Sequence, residues 1–169
     1  MKRLNAITVQ LQSLDFATAS VFLINGLKRE ELIATNSMIL HEVYFDSLGG
    51  QSSQLEGVLH EALVRDFGSV ERWHAEFVAM GKALGGARGG CCSPFSPWDR
   101  RLVNQWAPDH TYCLAGGIPI LALDMYEHSH HMDYGAKAAA YVDVFMQNIH
   151  WDNAAARYAS GTTVTKAQT

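Results

Sequence analysis

Residues 118–128, Ile118-Pro119-Ile120-Leu121-Ala122-Leu123-Asp124-Met125-Tyr126-Glu127-His128, end an apolar run with a carboxylate and, four residues later, an imidazole. An apolar segment opened by a β-branched residue predicts a buried strand, with Pro119 near its start, where a missing backbone donor costs little. Asp124 then stands at the strand's mouth. If the chain turns helical there, Asp124 and His128 project to one side, within reach of a single ion. Oxygen plus nitrogen donors favour iron, manganese or zinc over calcium or magnesium. On spacing alone a second reading stays open, in which Asp124 caps a helix and His128 is a core histidine.

Upstream of this segment the pattern is helical. Residues from about 5 to 47 read as two helices broken at Asn25-Gly26, the second running from Arg29 towards Phe45 and ended by Gly49-Gly50, with His41 deep inside it. Ser53 and Glu56 form a capping-box pattern opening a helix with Leu55, Leu59, Leu63 and Phe67 on one face. Gly68-Ser69 punctuates. Val70, Trp73, Phe77, Met80 and Leu84 mark a further helix, ended by the glycines from Gly85 to Gly90, and leave His60 and His74 solvated. The period then changes. Arg88 to Phe95 and Leu102 to Trp106 read as strands flanking a turn on Ser96-Pro97-Trp98-Asp99, and Ile118 to Leu123 is the third strand. Tyr134, Ala138, Tyr141, Phe145 and Ile149 share one face of a helix, followed by a short helix from about Asp152 and a polar tail. The fold class is therefore α+β: a helical segment over residues 1–50, an incomplete helical hairpin, then a mixed domain over 51–169 with a three-stranded antiparallel sheet and helices.

Composition narrows the function classes. With 169 residues, 48% of them hydrophobic, the chain can bury an ordinary globular core. Net charge is −4 and basic residues are adjacent only at Lys2-Arg3 and Arg100-Arg101, which predicts no nucleic-acid partner. No stretch approaches the ~18 consecutive apolar residues of a membrane helix, and polar Asn5, Gln10 and Gln12 interrupt the only faint leader-like start. The expected location is the cytoplasm, with no membrane partner. Cys91, Cys92 and Cys113 are odd in number and lack metal-site spacing, so buried free thiols are expected.

Three longer stretches carry a resemblance: Asp124-Met125-Tyr126-Glu127-His128-Ser129-His130-His131-Met132-Asp133-Tyr134; His150-Trp151-Asp152 followed by Arg157-Tyr158; and His41-Glu42-Val43-Tyr44-Phe45-Asp46-Ser47-Leu48. With Phe67-Gly68-Ser69 and Phe77, and the order of elements, they resemble the iron/manganese superoxide dismutase family from about Leu4 onward. The resemblance implies a mononuclear iron or manganese ion, one per subunit, with His41, Asp124 and His128 as three of its four protein ligands and superoxide as substrate. Three imidazoles and a carboxylate tolerate both the +3 and +2 states that dismutation needs. It implies a homodimer or tetramer, in which Glu127 reaches across the interface to orient the partner's histidine ligand. Tyr126 and His131 stand where the family has a tryptophan and a tyrosine, in the shell around the ion and the dimer contact. His110 is the candidate catalytic residue hydrogen-bonding near the ion, because Ser37, at the other place the family uses for that task, is too short.

Departures from the family pattern shape the expectation. The family's first histidine ligand lies in a histidine-rich helix ahead of a Leu-Asn pair resembling Leu4-Asn5, and the first histidine here is His41. An ion lacking that ligand is held more weakly, unless His130, His131 or His150 substitutes for it. Gly90 replaces a tryptophan, His130 replaces another tyrosine, and Ala138-Ala139 replaces an Arg-Pro pair. Three readings follow: a dismutase whose family-like beginning lies upstream of this chain, an inactive or weakly metal-binding relative with a structural or interaction role, and a zinc hydrolase with an open fourth position.

Overall fold

The computed structural model describes residues 2–49, 53–86 and 89–166. Two helices come first, α1 (Lys2–Ser13) and α2 (Val21–Asp46), then α3 (Gly57–Phe67) and α4 (Val70–Ala83). Four strand segments follow: β1 (Gly90–Ser96), β2 (Arg101–Leu102), β3 (Gln105–Ala107) and β4 (Ile118–Asp124). Helices α5 (Glu127–Tyr134), α6 (Ala138–Gln147) and α7 (Trp151–Lys166) complete the chain. The class is α+β, as the periodicity predicts. Among the described residues no helix is long and apolar enough to cross a membrane.

Strand β1 is the centre of an antiparallel sheet, with β4 on one side and β2 and β3 in a single register on the other. The expected second strand is interrupted at Val103-Asn104. Its cause is Pro94 opposite: the Pro94 carbonyl accepts the Val103 N–H at 3.1 Å, but proline has no N–H to return. Asn104 instead uses its side chain, accepting from Ser93 Oγ at 2.6 Å. A register shift between Ser93 and Pro94 bends β1 against β4.

Several boundaries correct the sequence reading. The first helix break lies at residues 14–20, and α2 passes straight through Asn25-Gly26. Asp15 makes that turn, its carboxylate accepting from the Ala17 N–H and the Thr18 hydroxyl, and the Ser20 hydroxyl then caps α2 by accepting the Leu23 N–H at 3.2 Å. One glycine costs a helix only about 1 kcal/mol, too little to stop a long one. Ser53 and Glu56 form no capping box, because Gly57 takes φ +63 and the Ser53 hydroxyl accepts the Trp151 N–H instead. The expected helix from Tyr134 to Ile149 is split at Gly135, where φ is 54 and the N–H closes α5 on the His131 carbonyl. Ile149 lies beyond α6 in a bridge to Leu48, and α7 runs 16 residues rather than being short. Cys91 is buried, Cys92 partly buried and Cys113 exposed, all with free thiols. The expected boundary at 50/51, the Gly50 stop and Arg88 lie outside the described residues.

The core packs α4 and α6 on one another and both sheet and helices around Trp73, Phe77, Leu123, Val142 and Phe145. Gly81 permits the closest approach: a Cβ there would lie 2.8 Å from Leu123 Cδ2. Val43 and Tyr44, in the last turns of α2, join the same core, so α2 lies against β4 and brings His41 to the strand's end.

Candidate metal centre

His41 Nε2, His128 Nε2 and Asp124 Oδ2 converge from three elements, α2, α5 and the end of β4. The separations are 3.6 Å for His41 to Asp124, 3.1 Å for His128 to Asp124 and 3.5 Å between the two imidazole nitrogens. Donors each about 2.1 Å from one common ion stand roughly 3.0–3.6 Å from one another, so the triangle matches a single transition-metal ion. Among the described residues no other group of three His, Cys, Asp or Glu donors comes together this closely.

Local contacts aim each donor. His41 Nδ1 donates to the Ser37 carbonyl at 2.6 Å, one helical turn back, which leaves Nε2 with its lone pair facing the cluster. Asp124 Oδ1 accepts the Tyr126 N–H at 2.9 Å, leaving Oδ2 for the centre. The reading of Asp124 as a helix cap is not realised: α5 is capped at Tyr126 with no side-chain bond, and Asp124 closes the strand-to-helix turn with one oxygen while the other faces the imidazoles. His128 is exposed, with 61% of its side chain accessible, and is no core histidine.

A stack of rings surrounds the donors. His110 lies in the loop before β4, stacked on His41 at 5.7 Å and on Tyr126 at 4.9 Å, with its Nδ1 3.1 Å from the Tyr126 hydroxyl. Tyr126 in turn stacks on His128 at 5.6 Å. Burial of the His110 ring, and then the neighbouring His41, push its pKa below the ordinary histidine value, so the ring is held neutral. The Asn36 amide fixes the His110 loop by donating to its carbonyl at 2.6 Å. Asn36 is the contributor that sequence reasoning missed. A poor helix former inside a long helix was its only signal.

Glu127 and His131 lie outside the cluster, exposed on α5. His130 is buried and lies tilted against the Tyr141 ring, and neither it nor His150 adds a donor to the triangle. His130 keeps both ring nitrogens without a hydrogen-bond partner in the structure.

A family model described as iron/manganese superoxide dismutases, C-terminal domain, matches residues 55–157. The chain is 72% identical over 160 residues to a superoxide dismutase [Fe] of Cupriavidus metallidurans, covering 95% of this chain and 81% of that protein. It is 37% identical over 122 residues to a superoxide dismutase [Mn] of Haloferax volcanii, covering 71% of this chain and 60% of that one. A superoxide dismutase [Fe] of Aquifex pyrophilus is 34% identical over 129 residues, covering 75% and 59%. The chain thus spans about three fifths of the length of the more distant relatives.

Proposed function

The chain belongs to the iron/manganese superoxide dismutase family, and we propose that it converts superoxide to dioxygen and hydrogen peroxide at one iron or manganese ion held by His41, Asp124 and His128. The observation that carries this reading is the convergence of two imidazole nitrogens and one carboxylate oxygen within 3.6 Å of one another. The bound ion supplies the one-electron change between its +3 and +2 states that the reaction needs. The protein's own residues do the remaining work. Ser37 fixes the His41 tautomer and the Tyr126 N–H orients Asp124. His110 and Tyr126 hold a proton between Nδ1 and the hydroxyl, beside the His41 ring. Dismutation consumes protons, and a neutral imidazole paired with a phenol is suited to hand them on.

Among the described residues the cluster has three donors, which favours an ion held less tightly than in a four-ligand site. The test is iron and manganese content by plasma mass spectrometry together with superoxide consumption, for the chain and for Asp124→Ala. The chain is expected to hold metal and consume superoxide, and the variant to lose both. Metal retained equally by Asp124→Ala, or no iron or manganese in either, would sink the proposal.

The same reading extends to assembly and location. Glu127, His131 and the 92% exposed Met132 form an outward face of α5 next to His128, where a second copy would bring its own Glu127 near the donor. A homodimer or tetramer is expected at micromolar concentration. Sedimentation velocity checks it: a strictly monomeric species, or a Glu127→Ala variant that associates and retains metal as well as the parent, counts against it. Three free thiols suit the reducing cytoplasm.

A further inference from the structure

Two of the three thiols lie on one side of the sheet, one beneath the loop that carries His110 and one within it. Cys92 on β1 is paired with Gln105 of β3, and residues directly opposite in antiparallel strands turn their side chains to one face. From that face the Gln105 amide reaches the loop before β4, donating to the Tyr112 carbonyl at 3.0 Å while its oxygen accepts the Leu114 N–H at 2.9 Å. Cys113 stands between those two residues. It is therefore held over the strand pair to which Cys92 belongs, and both side chains line one cavity of about 70 Å³. Cys91 takes no part: it is buried, and neighbouring residues of a strand point to opposite faces.

The two thiols differ in access. Cys113 is exposed and its Sγ accepts from the Asn36 amide at 3.1 Å, while Cys92 is partly buried. Burial pushes both thiols above the ordinary cysteine value, Cys92 to about 12, with the Cys91 and Cys113 thiols adding to the effect at Cys92. The thiolate is the attacking form, so both react slowly and the exposed one reacts first. A cavity of this volume admits molecules of the size of water, and hydrogen peroxide is little larger. Its other wall holds His41, Asp124 and His110. Peroxide released at the donor triangle thus emerges beside Cys113; that supply rests on the proposed function, whereas the chemistry of the pair does not.

We infer that Cys113 and Cys92 form a reversible, peroxide-driven disulfide that ties the His110 loop to β1. The Cys113 sulfur attacks one peroxide oxygen: an S–O bond forms, the O–O bond breaks, and the hydroxide that leaves takes up the thiol proton to become water. The sulfenic acid keeps the other oxygen with its hydrogen. Cys92 then attacks that sulfur, so that the S–S bond forms, the S–O bond breaks, and a second hydroxide leaves as water with the Cys92 proton. Two electrons pass from the pair of sulfurs to one peroxide, and two waters are the only by-products. A thiol reductant reverses the step. Once linked, the loop cannot lift from the sheet, and His110 is held at the His41 ring.

In the test, the reduced chain is exposed to hydrogen peroxide, its remaining thiols are blocked with N-ethylmaleimide, and it is digested with trypsin under non-reducing conditions. Residues 89–100 then carry Cys91 and Cys92 and residues 102–137 carry Cys113, so mass spectrometry reads the link directly. Over minutes to hours the two peptides are expected to become joined in the parent and in Cys91→Ala. They should stay separate in Cys92→Ala and in Cys113→Ala, and dithiothreitol should part them again. In Cys92→Ala the Cys113 sulfenic acid is left without its partner and is captured by dimedone. Amide exchange from Thr111 to Gly117 should slow in the oxidised parent and not in oxidised Cys92→Ala. Peptides that stay separate in the parent, a joined pair that persists in Cys92→Ala, or only chain-to-chain dimers through Cys113 overturn the inference, and unchanged exchange in the linked chain overturns the tether. Because the peroxide is added, none of these outcomes depends on whether the chain holds a metal or consumes superoxide.

Discussion

His130 is only 4% exposed, lies tilted against the Tyr141 ring at 5.3 Å and presents two ring nitrogens with no hydrogen-bond partner in the structure. Each buried polar group left unpaired costs about 1–3 kcal/mol. Replacing it by phenylalanine keeps a ring of similar shape and removes both orphaned atoms. His130→Phe is therefore expected to stabilise the chain by about 1 kcal/mol or more, seen as a higher urea midpoint at unchanged m-value. A lower midpoint would show that the imidazole has a partner and contributes to the fold. The neighbouring residues illustrate how context divides like side chains. His128, two positions earlier, faces the donor triangle from an exposed surface, and His131, one later, faces solvent. Three histidines within four positions of one short helix thus occupy three environments, as the rotation of about 100° per residue requires.

At the scale of elements, the sequence was legible where hydrophobic period and cap agreed. Helix α4 shows both: Trp73 and Phe77 on one face and the Ser69 hydroxyl accepting the Arg72 N–H at 3.1 Å. Strand β4 was readable as an apolar run closed by Asp124, and from it the Asp124–His128 half of the site followed. What could not be read was decided across the chain. Ser53 looks like a cap in sequence, yet its hydroxyl serves Trp151, and Pro94 interrupts a strand that lies opposite it in space. His41 joins the site only because the end of α2 packs on β4, and Asn36 matters only because the His110 loop crosses above it. Arg157 is the clamp that holds this arrangement. From α7 it donates to the Ile120 carbonyl of β4 at 2.9 Å and to Ser47 Oγ at 2.8 Å, and it pairs with Asp46 at the end of α2. Arg157→Met keeps the stem and removes the donors. The expected loss is about 2 kcal/mol, reduced from the value for a fully buried charge because Asp46 is half exposed. Urea unfolding measures it; a loss below about 0.5 kcal/mol, the range of ordinary surface substitutions, would show that α2 docks without the clamp.

Across the whole molecule, the donor triangle draws one side chain from each of three parts of the chain. His41 comes from the helical segment, Asp124 from the sheet and His128 from the helix that follows it. An ion bridging them, as proposed, would bind the folded arrangement and find no equivalent site in the unfolded chain, so its binding free energy would add to folding stability. At a free ion concentration about a hundredfold above the dissociation constant the gain is roughly 2.7 kcal/mol. For a chain of this length each kcal/mol moves Tm by about 2–4 °C, so iron or manganese should raise Tm by roughly 5–11 °C. The rise should be greatest for the helical segment, because His41 is its link to the ion. Amide hydrogen exchange around Ser37 to Tyr44 is expected to slow on metal addition more than exchange in α3, which carries no donor. Asp124→Ala removes the donor shared by both short histidine contacts, 3.6 and 3.1 Å, and should abolish the shift in Tm and in exchange alike. A variant that still gains stability from the metal would mean that the ion stabilises the protein from some other place, and that the convergence of these three side chains is a feature of packing rather than a binding site.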